Sequence, residues 1–218
     1  MVVAGLTVLV AGPAGCATVI PPEVSLEHRV RFVVPTFMRE LVPAGGVAVL
    51  PFVGGVGPEG IRNDAAFELA QAYRRAFPKA TVLTKDELLS RLRQQGGLDK
   101  AAVQLIKNYE ETQKLDPSLL IRLERAVPVR YLAYGRLDRF SERDVAGKRR
   151  KEVEFYSEIW DLPCKTVVWS GSASHRVSDS LQQEATPMGD LFVGAATETV
   201  AAIGPTTGKK VTGPIICE

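Results

Sequence analysis

The sequence predicts an α/β (α+β) domain built on a mixed sheet. An N-terminal parallel βαβ part is followed by antiparallel C-terminal hairpins, and helices pack on the sheet. A short apolar run at residues 47–52 stands between glycines, which is typical of a buried strand. Helical periodicity follows this run. From Val129 onward apolar and polar residues alternate, as in half-buried antiparallel strands. The chain has 218 residues, enough for one such domain with a tether.

The N-terminal segment predicts export. The first 22 residues carry no charged side chain, and an apolar run is followed by small residues, the pattern of a secretory signal peptide without its usual basic start. Ala14-Gly15-Cys16 resembles the lipobox of bacterial lipoproteins, with Pro13 where that motif has leucine. The resemblance implies that residues 1–16 are a signal peptide with lipobox and that Cys16 carries palmitate or a similar acyl chain. Ala17 then favours the outer membrane. A plain signal peptide and a buried first strand are the alternatives.

The remaining boundaries follow from composition. Residues 17–43 contain four prolines and few helical patterns, so we expect a tether with an ordered lead-in around residues 31–41. A single globular domain then covers residues 44–205, and residues 206–218 form a C-terminal tail.

The segments after the first strand are mostly helical in pattern. Apolar residues recur every three or four positions, and proline or glycine ends each run. Asp116 followed by Pro117 is a helix start, with an N-cap aspartate and proline at the first helical position. The predicted helices are residues 61–77, 85–95, 99–112, a segment from 117 and 188–203, with a short strand at 81–84.

Three antiparallel strands are predicted at residues 130–140, 152–162 and 166–178. A charged connection at 141–151 and a short one at 163–165 join them, so hairpins are the natural topology.

Three sequence segments resemble a group of envelope lipoproteins. These are "VAVLPF", "VRYLAYGRLDRF" and "EFYSEIWDLPCKTVVWSGSASH". The group is related to the curli-secretion protein CsgG, to the penicillin-binding-protein activator LpoB and to the N-terminal domain of TolB. The resemblance implies that the strand at 47–52 pairs with one at 131–137 and that there is no catalytic site. It also implies a later hairpin, to which Asp161, Val168 and Trp169 fit.

Composition and motifs argue against several classes of function. With 27 basic and 25 acidic residues, the chain is too balanced to favour nucleic acid as the partner. Residues 55–60 spell G-x-G-x-x-G after a strand. However, Pro58 removes an amide that would hold a pyrophosphate, and a flexible loop at a sheet edge is the alternative. The cysteines and histidines lack metal-ligand spacing. We therefore expect no cofactor, no metal and no small-molecule substrate.

Single residues that could carry chemistry have simpler explanations. Ser170 and His175 do not form a nucleophile elbow, and we expect His175 at the surface. Trp160 and Trp169 serve either the core or a partner-facing edge.

Three sets of residues are candidate sites. The basic run Lys148-Arg149-Arg150-Lys151 is predicted at a hairpin tip, where it is either solvated or a contact for anionic lipid, peptidoglycan or a partner protein. The edge formed by the strands at 130–140 and 152–162 is the predicted contact surface.

Cys164 and Cys217 are a candidate disulfide, because they are the thiols left once Cys16 is acylated in an oxidising compartment. Two free thiols are the alternative.

The function expected from these features is that of a lipid-anchored, non-enzymatic accessory lipoprotein. It would lie at the periplasmic face of the outer membrane and bind another envelope protein in secretion, wall synthesis or surface assembly. A pore-forming secretion subunit of the CsgG type and a secreted nucleotide-binding protein or enzyme are the alternatives.

Overall fold

A computed structural model describes residues 21–181 and 184–204 of the chain. One six-stranded sheet runs through this part in the order β1-β6-β5-β4-β2-β3. The strands are β1 (Glu23–Val33), β2 (Val47–Val49), β3 (Val82–Leu83), β4 (Tyr131–Val145), β5 (Lys148–Asp161) and β6 (Thr166–Ser180). The helices are α1 (Leu41–Gly45), α2 (Glu59–Ala76), α3 (Lys85–Gln94), α4 (Asp99–Thr112), α5 (Pro117–Ala126) and α6 (Met188–Ala201).

The predicted fold class is confirmed. Strand β2 is parallel to both β3 and β4, while β4, β5 and β6 form antiparallel pairs. Val47 lies opposite Tyr131, which is the strand pairing that the resemblance implies. The predicted helices are present within one or two residues of their expected bounds. Asp116 caps α5, since its carboxylate accepts from the backbone N–H groups of Ser118 and Leu119.

The prediction of a tether over residues 17–43 is wrong for Glu23–Val33, which forms strand β1. This strand pairs antiparallel with β6, from Glu23 opposite Ser178 to Val33 opposite Trp169. Its prolines flank the strand rather than interrupt it, and apolar and polar residues alternate between them. Val30 and Val33 pack against the core, so burial of one face holds the segment in the sheet.

The expected connection at residues 141–151 is also wrong. Strands β4 and β5 continue through it to a two-residue turn at Ala146 and Gly147, which have φ angles of 52° and 75°. Two positive φ angles match the right-handed twist of a hairpin, so the strands remain paired up to the turn. The basic run therefore lies within β5. The predicted contact edge is wrong for β5, which is paired on both sides along its length. Strand β4 is flanked by β2 only at Tyr131–Ala133, so beyond Leu137 no described strand pairs with its other side.

The helices cover the two faces of the sheet unequally. On one face α2 and α6 bury an apolar cluster that reaches from β2 to β6 and includes Phe155, Ile159 and Trp169. On the other face α3, α4 and α5 bury a second cluster, which includes Leu132 and Trp160. Within the described residues, no helix of this second layer lies over the turn-proximal parts of β4 and β5 or over their neighbours on β6 and β1.

Candidate functional site

The open part of the second face forms a groove that follows strand β6. We call it the serine groove. Its floor is the row of serines on β6, and longer side chains from the neighbouring strands form its walls. The floor residues are Ser170, Ser172, Ser174 and Ser178. The wall residues are Ser25, Glu27, Arg29 and Arg31 of β1, Arg139, Ser141 and Arg143 of β4, and Arg150, Glu152, Glu154 and Tyr156 of β5.

The groove arises from the alternation of side chains along β6. Ser170, Ser172 and Ser174 point to the open face, while the intervening Gly171 and Ala173 point to the face covered by α6. A row of small side chains between two strands that carry arginine, glutamate and tyrosine leaves a depression. Ser170, Ser172 and Ser174 are consequently buried, with 5–8% of their surface exposed, although no described helix covers them.

Ion pairs cross the groove at its middle. The Glu152 carboxylate accepts a hydrogen bond from Arg139 at 2.8 Å and another from Arg176 at 2.6 Å. Arg176 also lies 3.4 Å from the Glu27 carboxylate. Burial raises the pKa of Glu152, but the hydrogen bonds from Arg176 and Arg139 outweigh it and hold the pKa below the usual glutamate range. These bridging residues separate a cavity of about 420 Å³ towards the turn from one of about 460 Å³ beside Arg29.

The turn-proximal cavity contains two arginines that face each other. Arg143 of β4 is directly opposite Arg150 of β5, and both are exposed. Within residues 21–181 and 184–204, neither arginine has a carboxylate within 4 Å. Glu23 also lines the cavity, but its carboxylate pairs with Lys148. The charge of Arg150 attracts Glu23 more weakly than Lys148 does, so the positive charge at this end of the groove is only partly balanced. Like charges opposite each other also destabilise a strand pair.

The other end of the groove is built around Tyr156. The guanidinium groups of Arg31 and Arg136 lie over its ring, 4.9 and 5.3 Å from the centroid. Arg136 also pairs with Asp138 at 2.6 Å. Arg31 has no carboxylate within 4 Å in the described part of the chain, so cation–π contact with Tyr156 is what holds it.

A buried carboxylate fixes Tyr156 from below. Glu158 is 4% exposed and accepts hydrogen bonds from the hydroxyls of Tyr156 at 2.6 Å and Tyr109 at 2.9 Å, and from the Trp160 indole at 2.7 Å. Burial and the adjacent carboxylate raise the pKa of Tyr156 to about 12, so it stays a neutral donor. Three donors on one carboxylate make this a structural anchor that orients the groove end.

The four residues of the predicted basic site have separate roles. Lys148 pairs with Glu23, and Arg149 lies 3.6 Å from Glu142 and 3.5 Å from Asp144. Lys151 is buried and donates to the Thr186 carbonyl. Because side chains alternate along β5, the four residues of the run are divided between the two faces of the sheet. Among the described residues, no carboxylate lies within 4 Å of Arg150, whereas the other three members have one.

Several other residues lie where the sequence did not place them. The prediction of His175 at the surface is wrong: it is buried against α6, with Nδ1 3.3 Å from the Leu191 carbonyl. The glycine-containing loop lies along the side of β4 that β2 leaves unpaired, where the Val56 amide donates to the Leu137 carbonyl, so its predicted place at a sheet edge is confirmed. Trp160 and Trp169 are fully buried, as the core-packing explanation predicts.

The cysteine predictions stay predictions. Cys16 and Cys217 lie outside the described residues, and Cys164 is in the β5–β6 turn, where its amide donates to Asp161. A search of residues 21–181 and 184–204 finds no cluster of three potential metal-ligating side chains. In the same ranges, no helix has both the length and the apolar composition needed to cross a membrane.

Comparison with known proteins finds matches among solved structures. No family model and no curated protein matches the chain. The PelC dodecamer from Paraburkholderia phytofirmans matches with 13% identity, 85% of this chain and 100% of that chain covered, and a TM-score of 0.49. Lipoprotein GNA1162 from Neisseria meningitidis matches with 14% identity, 72% and 98% coverage, and a TM-score of 0.42. The LpoB C-terminal domain from Salmonella enterica matches with 14% identity, 63% and 93% coverage, and a TM-score of 0.35.

These similarities are low. Identities of 13–14% and TM-scores below 0.5 fix neither the family nor the function of this chain. LpoB is one of the proteins that the sequence motifs resemble, and it is among the structural matches. The resemblance to CsgG and TolB stays a prediction.

Proposed function

We propose that this chain is a lipid-anchored binding module of the bacterial envelope, which captures an acidic segment of another envelope protein in the serine groove. One observation carries the proposal. The groove lies on a sheet face that no described helix covers, and several of its arginines have no carboxylate within 4 Å among the described residues. Exposed charge of one sign attracts a partner of the other sign and sets its register.

The shape of the groove favours an extended protein segment. The floor follows β6 from Ser170 to Ser178, eight residues that span roughly 27 Å in a strand, and the ion pairs of Arg176 cross it between the two cavities. A chain that passes over these ion pairs could place side chains in both cavities. Two guanidinium groups lie over the ring of Tyr156, and the half-exposed Phe32 of β1 is opposite Ser170. The arginines of the walls suit carboxylates on such a segment.

The chemistry of the groove supports binding rather than turnover. The carboxylate at its centre, Glu152, is engaged by two arginines and keeps a lowered pKa, so it is a poor general base. His175 lies on the same strand as the serines but on the opposite face. The floor serines therefore have no imidazole beside them from this strand.

The anchor is proposed from the sequence. An acylated Cys16 would hold the chain at the outer membrane, since two or more acyl chains give stable anchoring. The groove would then be presented to proteins of the periplasm.

Site-specific photo-crosslinking in the native host tests the proposal. A photoreactive residue replaces Ser25 or Ser141 in the groove, which leaves every arginine in place, or the exposed Ser90 of α3 as the matched control. We expect one protein adduct from both groove positions, weakened by salt, and none from the control. Absence of an adduct from both groove positions, or the same adducts from Ser90, would contradict the proposal.

A further inference from the structure

Resting on this proposed function, we infer that Arg143 and Arg150 are the anchor for one carboxylate of the acidic segment. The two residues are directly opposite each other on β4 and β5, and both line a cavity of about 420 Å³ together with Ser141 and Ser178. The carboxylate would lie between the arginines and accept hydrogen bonds from both. The ligand at this end of the groove is thus a side-chain carboxylate of a partner protein.

The groove contains its own precedent for this arrangement. Glu152, two residues further along β5, lies between Arg139 and Arg176 and accepts from both. Arg143 and Arg150 are a second pair of arginines in the groove, on adjacent strands, with no carboxylate within 4 Å among the described residues. A ligand carboxylate would form charge-assisted hydrogen bonds of the same kind and would remove the repulsion between the two arginines.

The neighbouring charged groups do not fill this role. Glu23 pairs with Lys148, and Glu142 and Asp144 lie within 4 Å of Arg149, whose side chain starts on the opposite face of β5. Glu152 is held by its own two arginines. Each of these carboxylates has a closer cationic partner, and the charge of Arg150 acts on Glu23 only as a weaker, longer-range attraction, so Arg143 and Arg150 are available to a ligand.

The groove also predicts the spacing of a second acidic residue. Ser178 lies opposite Arg150, and Ser172 lies opposite Arg29 at the other cavity. Six residues of β6 separate these serines, which corresponds to roughly 20 Å in a strand. An extended segment with acidic side chains about six residues apart would reach both basic ends at once, and the ion pairs of Arg176 would lie between them.

Calorimetric titration with a synthetic heptaglutamate peptide tests the anchor, with heptaglutamine as the uncharged probe. The proteins compared are the wild type and the variants Arg143→Gln, Arg150→Gln and Arg122→Gln. Arg122→Gln removes the same charge from an exposed helix position. We expect the wild type to bind heptaglutamate only, and each groove variant to bind about tenfold more weakly, the loss typical of one charge-assisted hydrogen-bond partner. Arg122→Gln should bind like the wild type.

Thermal denaturation without peptide separates binding from folding. Arg150→Gln should keep or raise the melting temperature, because it removes a like-charge contact. A clear fall would make Arg150 a structural residue and overturn the inference. The inference is also overturned if the wild type does not bind heptaglutamate. It is overturned as well if Arg122→Gln weakens peptide binding as much as the groove variants do, because the effect would then come from net charge alone.

Two further readouts keep the inference separate from the proposed function. The first is binding to phosphatidylglycerol vesicles. If Arg150→Gln weakens binding to these vesicles but leaves heptaglutamate binding unchanged, the site binds lipid, and the inference of a protein ligand is overturned. If photo-crosslinking from the groove succeeds while Arg143→Gln and Arg150→Gln leave peptide binding unchanged, only the carboxylate anchor fails. If crosslinking fails at both groove positions, the proposed function fails with it.

Discussion

The two faces of strands β4 to β6 carry opposite chemistry, although their residues alternate along the same chain. Phe155 is fully buried beneath α6, with its ring 6.0 Å from those of Phe52 and Phe192. Its neighbours Glu154 and Tyr156 belong to the serine groove. The difference shows that the turn-proximal parts of these strands, beyond the second apolar cluster, bury apolar side chains on one face only, which leaves their other face free to carry charges that cost stability.

A second contrast lies within the groove itself. At its middle, Glu152 neutralises Arg139 and Arg176, whereas at its turn-proximal end Arg143 faces Arg150 with no carboxylate within 4 Å in the described residues. The first arrangement contributes to folding, and the second is what a binding site needs.

The largest effect is expected on the covered face. Phe155→Ala removes a fully buried ring and should lower the free energy of unfolding by about 3–5 kcal/mol, through lost transfer free energy and the cavity left behind. Urea denaturation measures this. Glu154→Ala, one residue away on the open face, is the control and should change stability by about 0.5 kcal/mol or less. Similar losses for both variants would mean that the two faces do not differ as described.

A smaller effect should separate two adjacent residues of the basic run. Lys151→Gln removes the hydrogen bond from the buried ammonium to the Thr186 carbonyl and should cost about 1–3 kcal/mol. Arg150→Gln should cost nothing measurable. Urea denaturation of the two variants measures the free energy of unfolding of each. A larger loss of stability for Arg150→Gln than for Lys151→Gln would contradict our assignment of the two residues to the open and the covered face.

The smallest effect concerns the groove centre and depends on pH. Glu152→Gln should cost about 1 kcal/mol or less at neutral pH, because both arginine partners are half-exposed. The folded-state pKa of Glu152 is lowered, so its contribution is fully present above the unfolded-state glutamate pKa, about 4.3, and is lost as the pH falls through the folded-state value. The stability difference between wild type and Glu152→Gln should therefore shrink from pH 5 downward. A difference that is constant with pH would show that the two ion pairs contribute no net stability.

Much of the fold could be predicted from local sequence. Helical periodicity, the Asp116-Pro117 start and the apolar strand at β2 are local patterns, and they place the helices and the parallel core correctly. Strand β1 was missed because its prolines suggested a tether, although alternation within Glu23–Val33 is visible in the sequence. Its partner β6 lies some 140 residues later in the chain, and no local signal indicates such a pairing.

The candidate site could be predicted only in part. The sequence by itself determined which residues share a face, because side chains alternate along every strand; the serine row of β6 is the signal that would have drawn attention to the groove. Only the tertiary structure decided that β1 and β5 flank that row, that α3 to α5 leave it open, and that Lys151 is buried while Arg150 faces Arg143. The physical reason is that register and coverage are set by apolar burial between distant segments. Local alternation carries no information about which strand, helix or opposite charge will become a residue's neighbour.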